Sequence, residues 1–102
     1  MPRYVAELYL PKKGSESLQA AAVRARSAAD AMTREGTPIR YLRAIFLGDD
    51  EVCFHLYEAD SSELVREASR RAAIPVERVS EAVDIEPDAT TDPGGRSESC
   101  EQ

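Results

Sequence analysis

A chain of 102 residues, 42% hydrophobic and 31% charged, has the size and composition of one soluble domain, near the lower edge of lengths that bury a self-sufficient core. No apolar run approaches the roughly 20 residues that cross a bilayer, and a formal charge of −6 comes without a basic stripe for a phosphate backbone. Neither a membrane nor a nucleic acid is therefore an expected partner.

The chain opens on RYVAELYL (Arg3 to Leu10), aromatic and β-branched and alternating, which ends at Pro11 before a Lys-Lys-Gly turn and predicts a strand. Its start lacks the basic, apolar and small-residue order of a secretion signal, and two cysteines make no disulfide framework, so a cytoplasmic, reducing setting is expected. From Ser17 to Glu35 the residues Leu18, Ala22, Ala25, Ala29 and Met32 recur at helical spacing, and Gly36 with Pro38 supplies a stop. This helix buries mostly alanine, so it approaches a neighbouring surface closely while removing little apolar area per residue. IRYLRAIFL (Ile39 to Leu47) and EVCFHLYE (Glu51 to Glu58) are two strands joined by Gly48-Asp49-Asp50, an expected hairpin. Asp60 and Ser61 offer N-cap side chains, with Glu63 in the first turn, to a helix that turns Leu64, Val65, Ala68 and Ala72 inward and ends by Pro75. RVSEAVDI (Arg78 to Ile85) is the last strand. The stretch from Glu86 to Gln102, with five acids, one arginine and many Pro, Gly, Ser and Thr, reads as a disordered acidic tail carrying −4 and leaves −2 on residues 1–85.

The order β-α-β-β-α-β is the ferredoxin-like split arrangement, an α+β fold with two helices on one face of a four-stranded sheet. Right-handed crossovers lead us to expect the first and third strands side by side and parallel in the centre, flanked by the fourth and the second. Alternation then assigns Tyr4, Ala6, Leu8 and Leu10, Leu42, Ala44 and Phe46, and Val52, Phe54 and Leu56 to the helix side. The open face receives Val5, Glu7, Tyr9, Tyr41, Arg43, Ile45, Leu47, Cys53, His55 and Tyr57, with Val79, Glu81 and Val83 of the last strand. A face this mixed predicts a homodimer packed sheet to sheet, with polar residues lining a small-molecule pocket between the sheets.

Within that face, Glu7, Tyr9, Arg43, His55 and Tyr57 are the candidate ligand-binding residues. His55, the one histidine, and Cys53 two residues away are the candidate metal ligands, since neutral imidazole and thiolate suit a divalent transition metal. A second, enzymatic reading pairs Glu7 with His55 as a carboxylate–imidazole base, with Arg43 holding an anionic intermediate; such a set resembles cofactor-independent isomerases and monooxygenases built as dimeric α+β barrels. Asp49, Asp50 and Glu51 lack the glycine and spacing of a calcium loop and read as a solvated turn. Arg66, Arg70 and Arg71, with Glu63 and Glu67, read as a charged outer face of the second helix.

The run EGTPIRYLRAIFLGDDEVCFHLYEADSSELVREASRRAAIPVERVSEAV, by the spacing of RYL, of FL and DDE before CF, of YEA before VREA, and of P, R and EAV at its end, resembles a bacterial family of small ferredoxin-like domains of unknown function with a nickel-binding member. The likeness covers nearly all of residues 2–85. It implies a dimeric α+β barrel and, as cofactor, nickel. Where nickel-binding relatives carry histidines, this chain has Arg40 and Arg43 around the second strand and Ser69 and Ile74 around the second helix; a permanently charged guanidinium ligates no metal.

Overall fold

Alternation in RYVAELY produces β1 (Arg3–Tyr9), with Tyr4, Ala6 and Leu8 buried and Val5 and Glu7 half-buried on the other side. After Pro11 the chain winds through a 3-10 helix (Lys12–Ser17), where a simple turn was expected, into α1 (Leu18–Arg34). Then come β2 (Ile39–Leu47), β3 (Val52–Ala59), α2 (Ser62–Arg71) and β4 (Arg78–Ala82). These elements come from a computed structural model that describes residues 1–83 together with Ile85 and Pro87. The tail expected from Glu86 onward, with Cys100, lies outside the described residues apart from Pro87. No described helix is long and apolar enough to cross a membrane.

The sheet runs β2-β3-β1-β4, the expected order, and every neighbouring pair is antiparallel. The expected parallel pairing of β1 with β3 is thus corrected. The crossover through α1 returns β2 in the direction of β1, and β3, the reversed arm of the hairpin, inserts between them.

Both helices pack on one face. Tyr4, Ala6 and Leu8 form a single core with Ala25, Ala28, Ala29 and Met32 of α1 and Val65 and Ala68 of α2. Hydrogen bonds from the Ile39 amide to Thr33 Oγ1 (3.0 Å) and from Thr33 Oγ1 to the Ile39 carbonyl (2.8 Å) staple the end of α1 to the start of β2. Across the helix ends, Arg71 of α2 makes two bonds to Glu35 (3.1 and 3.0 Å) and one to Glu67 (2.9 Å), so part of the charged face expected on α2 ties the two helices together.

Register decides which side chains share the core face, because directly opposed residues point the same way. Tyr4 opposes Tyr57, Ala6 opposes His55 and Leu8 opposes Cys53. Cys53, His55 and Tyr57 therefore lie under the helices, and Val52, Phe54 and Leu56 face outward, the reverse of the sequence expectation. Tyr41 moves to the core face as well, opposite Tyr57, because a β-bulge at Leu42 shifts the phase of β2. Ala44 and Phe46 remain on the helix side and Arg43, Ile45 and Leu47 on the open side, as expected. On β4, Val79 opposes Ala6 and Glu81 opposes Tyr4, so both share the helix side, and Val83 lies beyond the strand, exposed.

Candidate functional site

His55 sits in the middle of a cross-strand row, Ala44–His55–Ala6–Val79, in the inner face of the sheet. The two alanines beside it leave room for an imidazole beneath the alanine-rich α1. The ring is 1% exposed, and burial lowers its pKa from 6.5 to about 4, so it is neutral at physiological pH. Its two nitrogens face different partners. Nδ1 lies 2.8 Å from the Tyr41 hydroxyl, and Nε2 lies 3.7 Å from Cys53 Sγ. A neutral imidazole carries one N–H, so it donates on one side and accepts on the other, and both neighbours can take either role. Burial also raises the Tyr41 hydroxyl well above its usual pKa and pushes the Cys53 thiol up, which keeps all three groups uncharged at neutral pH.

From this row a cavity of about 190 Å³ opens toward one end of the sheet. Cys53 and His55 form its polar floor, and Leu8, Leu10, Leu18 and Ile74 are among its apolar walls. Arg24 of α1 stands at the mouth, its Nε donating to the Ala72 carbonyl at the end of α2 (2.8 Å). The 3-10 helix that supplies Ser17 to the wall is pinned by Glu51. That residue accepts from the Lys12 amide (3.0 Å) and the Tyr9 hydroxyl (3.3 Å) while its own backbone sits at φ 54.

Of the residues singled out from the sequence, Cys53, His55 and Tyr57 come together; Glu7 and Arg43 do not join them. Glu7 is on the open face, 3.7 Å from Arg78, so the carboxylate–imidazole pair does not form. Arg43 projects from the same outer face. Tyr9 is largely exposed, though it reaches the rim of the cavity. Tyr57 stacks edge-on against Tyr41 (5.2 Å, 74°), and its buried hydroxyl faces the buried Ser69 Oγ, the two making no hydrogen bond of ordinary geometry to each other or to any other described residue.

Tyr41 shares a face with His55 and Tyr57, as alternation predicts, but that face is the helix side, and the bulge at Leu42, which no glycine or proline announces, parts Tyr41 from Arg43. Arg24 carries no local signal, since its role depends on α2 ending beside it.

Among the described residues no three histidine, cysteine, aspartate or glutamate side chains gather as a metal-holding group. No curated protein matches the sequence. The crystal structure of SCO4226 from Streptomyces coelicolor A3(2) matches with a TM-score of 0.63 at 16% identity, covering 82% of this chain and 99% of that one, a likeness of fold. The family model described as nickel responsive protein SCO4226-like matches residues 4–82, and the chain belongs to that family.

Proposed function

We propose that this chain is a cytoplasmic small-ligand-binding protein, a homodimer, whose site is the cavity over Cys53 and His55. The observation that carries this reading is a buried, neutral histidine flooring a cavity with otherwise mostly apolar walls. A few polar groups converging in an apolar concavity are the usual form of a small-molecule site. At about 190 Å³ the space is slightly larger than the ~150 Å³ that admits benzene, so it suits a compact ligand of roughly six to ten heavy atoms. Its apolar body lies against the leucines, one polar atom meets His55 Nε2, and an anionic end meets the guanidinium of Arg24.

The family description concerns nickel, and the donors present do not make a resident nickel site. Cys53 and His55 supply two donors where a transition-metal ion takes four or more. Burial holds the thiol protonated, whereas metal binding requires the thiolate.

The test is native mass spectrometry and thermal melting of untagged, chelator-free protein, with benzoate and hexanoate as probes. Ala21→Leu, which narrows the cavity from α1, serves as the blocked variant. A retained small-molecule mass, or a melting temperature that rises with either probe in the wild type but not in Ala21→Leu, supports the reading. A retained nickel mass lost in Cys53→Ser replaces it with the metal reading. No retained mass and no response to either probe overturns it.

A further inference from the structure

A second site lies outside the cavity, along β2, an edge strand of the sheet. Arg40 and Arg43 are three residues apart, so in a regular strand they point to opposite faces. The bulge changes this. Because the ladder skips Leu42, Arg40 opposes Glu58 and Arg43 opposes Leu56, which makes the two arginines successive residues of one face. Both reach a cleft of about 400 Å³ at the strand edge, where Arg26 of α1 meets them from the helix side. Asp30 is the one acid in that lining.

Several arginines elsewhere are matched, Arg3 with Glu58, Arg70 and Arg71 with Glu67, and Arg78 with Glu7, while Arg24, Arg34 and Arg66 make no ion pair among the described residues but stand apart from one another along the two helices. In the cleft only Arg40 is matched, to Glu58 at 3.3 Å, while Arg26 and Arg43 make no ion pair among the described residues. A protein with net charge −6 thus holds three guanidinium groups around one hollow, with Asp30 in the lining and Glu58 taken up by Arg40, which leaves Arg26 and Arg43 without an ion-pair partner among the described residues. Such a grouping opposes itself electrostatically until an anion enters.

We propose that this cleft binds a multiply charged oxyanion, the phosphate group of a small ester or a polycarboxylate. Guanidinium forks match both groups in shape and charge, each offering paired N–H donors to two oxygens. The cleft is larger than a bare phosphate ion needs and falls within the size range of small-metabolite sites.

The chain has no tryptophan, and Tyr41 lines the cleft, so tyrosine fluorescence reports on it directly. Full-length protein is titrated with inorganic phosphate and, separately, with citrate, each against potassium chloride at equal ionic strength. The expected result is a saturable change with at least one of the two. Arg26→Gln and Arg43→Gln weaken it by about tenfold each, in keeping with loss of a charge-assisted hydrogen bond, and Arg66→Gln on the outer face of α2 leaves it unaltered. Saturation by phosphate alone assigns a phosphate ester, and saturation by citrate alone a polycarboxylate. A response reproduced by potassium chloride, no saturation with either anion, or equal binding by the arginine variants overturns the proposal.

Discussion

His55 couples the candidate site to pH through its burial. Unfolded, the imidazole titrates near 6.5; folded, it titrates near 4 because the desolvated ring resists its charge. Below 6.5 the unfolded chain therefore binds a proton that the folded chain refuses, and stability falls as pH drops from 6.5 toward 4, then levels. Between pH 7 and pH 5 this amounts to about 2 kcal/mol. No other side chain has an ordinary pKa inside that interval except a histidine, and the chain has one. Urea unfolding at pH 7 and pH 5 should show the loss in the wild type and a flatter profile in His55→Gln; an equally steep profile in the variant would place the titrating group elsewhere. Tyr41→Phe acts on the same pair differently. It strips His55 Nδ1 of its 2.8 Å partner in a dry place, which should destabilise the fold by about 1–3 kcal/mol at neutral pH.

The two helices end in the same hydrogen-bonded motif with different residues at its strained position. After α1, Gly36 takes φ 103, with its amide bonded to the Thr33 carbonyl and that of Thr37 to Met32. After α2, Ala73 takes φ 59, with its amide bonded to the Arg70 carbonyl and that of Ile74 to Ser69. Glycine enters this left-handed region freely, whereas alanine pays about 1 kcal/mol there. Ala73→Gly should accordingly raise the melting temperature by about 4–8 °C, and an unchanged or lower value would mean that the alanine is not strained. Gly36 was legible in the sequence as a helix stop; Ala73 was not, because the turn it makes is dictated by Pro75 and the descent into β4. The same distinction governs the strands. Their existence and order follow from alternation and turns, but β3 is apolar on both faces, Cys53 and Tyr57 on one and Val52, Phe54 and Leu56 on the other. Alternation alone therefore does not choose its phase. Pairing with β1 does, and that long-range register carried Cys53, His55 and Tyr57 inward while Glu7 and Arg43 stayed outside.

With both helices on one side, the molecule leaves the other side of its sheet uncovered, and the composition of that face argues for a second copy. Its residues fall in rows across the strands: Arg43–Leu56–Val5–Ser80, then Ile45–Phe54–Glu7–Arg78, then Leu47–Val52–Tyr9. Antiparallel sheets that face water alternate apolar residues inward with polar residues outward, yet here Val5, Ile45, Leu47, Val52, Phe54 and Leu56 all point outward. Ile45 and Leu47 are each 43% exposed. Charges of both signs border this centre, Glu7 with Arg78 on one flank and Arg3, Arg40 and Glu58 along one end. A twofold-related copy brings the apolar centres together and sets such a border against itself, the self-complementarity that a symmetric dimer needs. Phe54 lies at the middle of the face and outside the core, so Phe54→Glu should leave the domain folded while breaking the association. Light scattering on the full chain at micromolar concentration should give twice 11.2 kDa for the wild type and a single 11.2 kDa species for the variant, with unchanged circular dichroism. A wild type of 11.2 kDa would mean that this face is open to water or to a different partner. A variant that remains dimeric would move the interface elsewhere, with the unpaired edge of β2 as the next place to look.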